Sequence, residues 1–289
     1  MKENDMDAGL AVLADHRTPA EGAEFRELVS DWMETVLAHT AGDLFGPTVD
    51  PIRRASADLC STLRIVSLRR GRRTVKEYDG VPEHYPTFWQ AGLERPEEMS
   101  LVLTAKQADG SMGFPRLVTA AHRFADAPEW MTLTAEAQLA KSAVADGARL
   151  PEDFAAALRR HAERHPVQFG FVADDAEPPA SALERSLGLF EEDTRPRSDH
   201  SIRGYSWVMV INPRVLEAAG GLSHLTGSGA FTAVETLSEG RVFLRATATL
   251  QEYTGAAVER VHTALEPVLP WGRPKFDPNL AYRRLIYST

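Results

Sequence analysis

His161 and His165 stand four residues apart in HAERH, at the end of a stretch that reads as a helix from Pro151 to Arg164. Two imidazoles one helical turn apart can share a metal ion. The metalloprotease form of this spacing needs a glutamate directly after the first histidine, and Ala162 stands there. The surrounding sequence marks no third ligand, and Pro166 ends the helix just beyond the second histidine. Metal sites use three or four protein ligands. The pair therefore reads as surface histidines favoured by the negative end of a helix dipole, and neither a metal nor a cofactor is expected.

The other reactive residue types fail on geometry. Asp199, His200 and Ser201 are the three types of a hydrolase triad, but a triad needs side chains converging from separate elements, which chain neighbours do not provide. Gly227-Ser228-Gly229 lacks the spacing and the preceding buried strand of a nucleophile elbow. The glycine-rich stretch Gly220 to Gly229 follows a helix pattern and lacks the Lys-Ser/Thr ending of a phosphate loop. Acid pairs such as Glu97-Glu98 and Asp174-Asp175 read as solvated faces without a pocket to convert them into acid and base. Cys60 is the single cysteine, which excludes an internal disulfide and a cysteine zinc cluster; it reads as a small buried apolar residue. No catalytic residue is assigned.

A net charge of −9 disfavours direct binding of nucleic acid. In so acidic a chain, Arg69-Arg70-Gly71-Arg72-Arg73 reads as a solvated turn between two strands. With 43% hydrophobic and 25% charged residues, the composition is that of a soluble globular protein. No apolar run approaches the roughly 20 residues of a membrane helix. MKENDMDAGLAVLADH carries acids and lacks an apolar core of signal-peptide length, so a cytoplasmic location with no membrane partner is expected.

The elements that must position these residues are unevenly legible. Residues 1–20 are polar and read as a flexible tail. Glu24 to Leu37 is a helix with Phe25, Leu28, Val29, Trp32, Val36 and Leu37 on its apolar side. Residues 51–60 read as a short second helix, and Val81 to Pro96 as an ordered aromatic loop. Leu63–Leu68, Met99–Gln107, Trp130–Ala137 and Val167–Val172 read as strands, while Leu117–Phe124 fits a helix or a strand. Tyr205–Ile211 is a buried strand whose large Trp207 belongs in the core. Asn212 caps a helix with Pro213 in its first position, and Gly220-Gly221 stops it. A loop from Thr226 to Gly229 leads to Phe231–Leu237 and Arg241–Leu250, a hairpin around Ser238-Glu239-Gly240. Val258, Val261, His262 and Leu265 recur at helical spacing before Pro267. A length of 289 residues suits a two-lobed molecule. The expected fold class is α+β in two lobes, residues 21–175 and 201–289, each a small mixed or antiparallel sheet with helices packed on one face.

Gly204-Tyr205-Ser206-Trp207, followed by a hydrophobic strand, a short helix and Gly220-Gly221-Leu222, resembles a bacterial immunity-protein family. That family includes cytoplasmic antidotes to VRR-Nuc nuclease toxins delivered by type VI secretion. The likeness in layout spans residues 85–270, and Ala219-Gly220-Gly221 departs from the family's Leu-Gly-Gly-like step. The resemblance implies a non-enzymatic protein that binds and neutralises a cognate toxin. An acidic antidote suits a basic toxin face, and the partner-binding candidates are Asp174, Asp175, Glu177, Glu191, Glu192, Asp193 and Asp199. The alternative is a small-molecule enzyme or ligand-binding protein whose cleft between the lobes is framed by Tyr85, Phe88, Trp89 and Trp271.

Overall fold

In the computed structural model, the chain is described over residues 8–17, 23–46, 59–69, 72–79, 81–92, 97–124, 127–139, 149–175, 179–278 and 282–288. Its strands in chain order are β1 (Ala8–Arg17), β2 (Leu59–Arg69), β3 (Arg72–Glu77), β4 (Glu98–Lys106), β5 (Met112–Arg123), β6 (Trp130–Leu139), β7 (Val167–Ala173), β8 (Val208–Ile211), β9 (Ala233–Thr236) and β10 (Val242–Arg245). The helices are α1 (Ala23–Phe45), α2 (Tyr85–Gly92), α3 (Leu150–Arg164), α4 (Ala182–Leu187), α5 (Glu191–Thr194), α6 (Pro213–Ala218), α7 (Gly221–Gly227) and α8 (Ala256–Leu265).

All the described strands join one antiparallel sheet in the order β3-β2-β4-β5-β6-β1-β7-β8-β10-β9. This corrects the expectation of two lobes with separate sheets. The joint is β7, which pairs with β1 on one side and β8 on the other, so backbone hydrogen bonds run unbroken across the expected boundary. The segment read as a flexible tail is also corrected over residues 8–17. There β1 lies in the middle of the sheet, between β6 and β7. Leu10 to His16 are all buried, because both faces of this strand are covered.

Several smaller expectations change with it. Leu117–Phe124 resolves as strand, within β5 as far as Arg123. Much of the aromatic loop is a 3-10 turn, Pro82–His84, followed by α2. The strand expected to reach Leu250 ends at Arg245, and the loop from Thr226 is partly α7. The short helix expected over 51–60 lies outside the described residues except for Leu59 and Cys60, which open β2.

Most of the apolar side of α1 packs as its spacing predicts: Phe25, Leu28, Val29, Trp32 and Val36 are buried, Leu37 is half-buried, and the Trp32 indole N–H donates to the Thr134 carbonyl at 3.1 Å. α1 and α3 pack together on one face, α1 over β5 and β6 and α3 over β1 and β7. On the other face, the segment from α4 to Trp207 crosses β1 and is tied down by charge. Arg203 donates to Asp15 at 2.8 Å and to Glu184 at 2.8 Å, with all three side chains buried. Burial opposes the Arg203 charge, but the two carboxylates outweigh it and hold the guanidinium above its usual range. Ser181 and Glu184 cap α4 reciprocally. Trp207 is buried, as its strand position implies, and donates to the Thr247 carbonyl at 3.0 Å.

Candidate partner-binding face

Strands β2, β4, β5 and β6 alternate, and alternation gives each strand two unlike sides. One side, with Leu63, Met99, Leu101, Leu103, Leu117 and Leu133, is buried under the helices. The other carries Arg64, Glu98, Val102, Thr104, Arg116, Val118, His122, Glu136 and Gln138, which are half-buried. The main helix contacts of this half of the sheet are made by α1, on the first side. The second side is the more polar face of the sheet, with Ser100, Ala120 and Thr134 buried on it, and side-chain hydrogen bonds within and between strands organise it. Arg73 pairs with Glu98 at 3.3 Å, Gln138 donates to Glu136 at 2.7 Å, and Ser100 donates to Glu98 at 3.3 Å.

At the β5–β6 end, this face meets α5. Arg195, buried, lies 3.1 Å above the Phe124 ring and donates to the Thr132 hydroxyl at 3.0 Å. Burial lowers its guanidinium to about 10. This anchor sets Glu191, Glu192 and Asp193 beside the face, with Phe190 69% exposed in front of them. A cleft of about 480 Å³ forms there, lined by Val66, Arg73, Glu98, His122, Phe124 and Glu192. Burial holds the His122 imidazole below its usual range, with Glu98 pulling the other way.

The acidic candidates thus divide. Glu191, Glu192 and Asp193 come together beside the open face. Asp174 instead grips Arg284 through both carboxylate oxygens at 2.6 Å, fastening the C-terminal segment to the body. Asp199 accepts from His200 at 2.6 Å and lies 3.7 Å from Arg17 and 3.6 Å from Arg214. Asp175 is largely covered, and Glu177 lies outside the described residues. The aromatic candidates divide too. Tyr85 and Trp89 line a cleft of about 330 Å³ against Met33, Leu37, Leu63 and Leu101. Phe88 packs beside Tyr78, and Trp271, fully exposed, borders a different cleft with Leu183 and His262. No helix of the described residues is long and apolar enough to cross a membrane.

The histidines expected on the surface are buried, and with them sequence reasoning missed one constellation. His161 and His165, at the end of α3, meet Asp31 of α1: Asp31 Oδ2 lies 2.9 Å from His161 Nδ1 and 3.2 Å from His165 Nε2. Arg164 holds the other oxygen at 2.5 Å. His161 Nε2 lies 3.0 Å from His16 Nε2. Burial would raise the Asp31 carboxyl, but the hydrogen bonds from His161 and Arg164 outweigh it and hold it well below the usual range. Burial pushes His161 down to about 4 against the same hydrogen bond. Nothing local to Asp31 announces this role, since its partners lie 130 residues away.

No protein-family model matches the chain, and no curated protein sequence matches it. Among solved structures, the chain is similar to the Pseudomonas aeruginosa T6SS protein PA0821, with a TM-score of 0.54 and 15% identity, over 93% of this chain and 76% of that one. At that identity, the likeness shows a shared α+β fold.

Proposed function

We propose that this protein is a non-enzymatic immunity-type protein of a type VI secretion setting, which binds and neutralises a cognate toxin in the cytoplasm. The observation that carries the reading is the polar sheet face with the exposed Phe190 and the acidic turn Glu191–Asp193 beside it. An apolar anchor followed in the chain by three carboxylates suits a basic protein surface, where charge speeds encounter and the anchor slows release. The likeness in fold to a T6SS protein supports the setting. The sequence resemblance supports a VRR-Nuc nuclease as the toxin, so the antidote occludes the enzyme and does not itself touch nucleic acid.

The test is co-expression with the product of the adjacent gene, followed by measurement of complex formation and of toxin activity. A stoichiometric complex that silences the toxin is expected. Replacing Glu191, Glu192 and Asp193 together with lysine should slow association by about tenfold or more at low salt and flatten its salt dependence. A neighbouring toxin that neither binds nor is silenced would overturn the reading. A silenced toxin without nuclease activity would overturn only its assignment to the nuclease class.

A further inference from the structure

We propose that Asp31, His161 and His165 form a binding site for a divalent transition-metal ion of the zinc type. The proposal does not depend on toxin binding. It rests on the convergence of three donor atoms from two helices. One ligand atom from each residue lies within 4.8 Å of the other two. The separations from the carboxylate oxygen, 2.9 and 3.2 Å, approach the edge of a tetrahedron whose metal–ligand bonds are about 2.0–2.1 Å, roughly 3.3 Å. A small outward shift of each side chain therefore opens the centre of the site.

The surroundings match what such ligands need. Arg164 occupies one oxygen of Asp31 and leaves the other to face both imidazoles, which makes the carboxylate a single-oxygen ligand. With His161 binding through Nδ1, its Nε2–H points at His16 Nε2 3.0 Å away, the outer contact that fixes a ligating tautomer. The i, i+4 spacing survives the end of the helix because the His165 N–H still donates to the His161 carbonyl at 2.9 Å. The His165 side chain is 10% exposed and that of Asp31 14%, so the site opens at one edge and water can take a fourth position. Two imidazoles and a carboxylate select zinc, cobalt or nickel over calcium and magnesium, which favour all-oxygen shells. The positive charge of Arg164 lowers the affinity relative to a closed four-ligand site. A bound ion would cross-link α1 and α3.

The experiment uses the full chain without a histidine tag, freed of metal by chelator and dialysis. Titration with zinc should show one ion bound per chain and a rise in the melting temperature. Cobalt should give the visible spectrum of a nitrogen- and oxygen-ligated ion. D31N and H165Q, checked for native circular dichroism, should bind at least about tenfold more weakly. The cobalt spectrum of the unmodified chain decides the matter should either variant fail to fold. A natively folded chain that retains no zinc, gives no cobalt spectrum and melts unchanged would overturn the proposal. Equal zinc binding by the two folded variants would do so too.

Discussion

The charges that matter most to this fold are those hidden from their sequence neighbours. Asp15 meets Arg203 across 188 positions of the chain, so a local reading sees only an acid in a polar stretch. Burying such a triad with Glu184 is no stronger than an apolar core of equal volume, but breaking it leaves a bare charge. Arg203→Ala is therefore expected to destabilise the protein by about 3–5 kcal/mol in denaturant melts, well beyond the effect of Arg214→Ala at the exposed pair with Asp199. Asp175 shows the opposite case. Its Oδ2 is buried without a hydrogen-bond partner among the described residues, and burial, reinforced by Asp174, pushes its carboxyl up to about 6. Between the unfolded value near 4 and this folded value, the native state holds the extra proton. That contribution is full below about pH 4 and is lost as pH rises through about 6. Asp175→Asn, which mimics the protonated form, should stabilise the protein by about 1–3 kcal/mol at pH 7.5 and have little effect at pH 4. Melting curves at the two pH values check this.

Local chemistry was most legible where one element carries its own punctuation. The Asn212 side chain accepts from the N–H groups of Arg214 and Val215, as its place before Pro213 predicts, and also donates to the carbonyls of Gln168 and Ser198. The hairpin of β9 and β10 and the strand β6 were readable from turn residues and alternation. β1 was not, because a strand covered on both faces does not alternate. Its short run Leu10–Ala14 is followed by Asp15 and His16, whose partners sit on distant elements. The packing of α3 on the sheet leaves a mark at Gly170. A Cβ there would lie 2.9 Å from the Leu13 carbonyl oxygen and 2.9 Å from Leu158 Cδ1. Gly170→Ala should push α3 away from β7 and destabilise by about 1–3 kcal/mol. Gly42→Ala, with open space around its Cβ and a helical position, should be neutral or stabilising by up to about 1 kcal/mol.

At the level of the whole molecule, the two-lobe expectation failed for a physical reason. Composition and element order in residues 21–175 and 201–289 each suit a small α+β layer, and nothing local to β7 says that both of its edges are paired. The continuous sheet predicts a single cooperative unfolding transition followed alike by near- and far-ultraviolet circular dichroism; two separated transitions would contradict it. It also predicts that deleting residues 1–17 abolishes the native near-ultraviolet signal, because β6 and β7 then face an empty slot rather than losing a tail. The open polar face belongs to this scale as well, since it exists only where β2, β4, β5 and β6 lie side by side.

The central place of β1 bears on how the molecule is made. Synthesis delivers β1 long before its partners β6 and β7, with β7 starting roughly 150 residues later. Until then, the middle of the sheet has no middle, and a row of apolar side chains with unpaired amides waits in the open. Closing it late, by joining segments distant along the chain, makes for slow folding. The nascent protein is thus most prone to stick to its neighbours while the ribosome is still working.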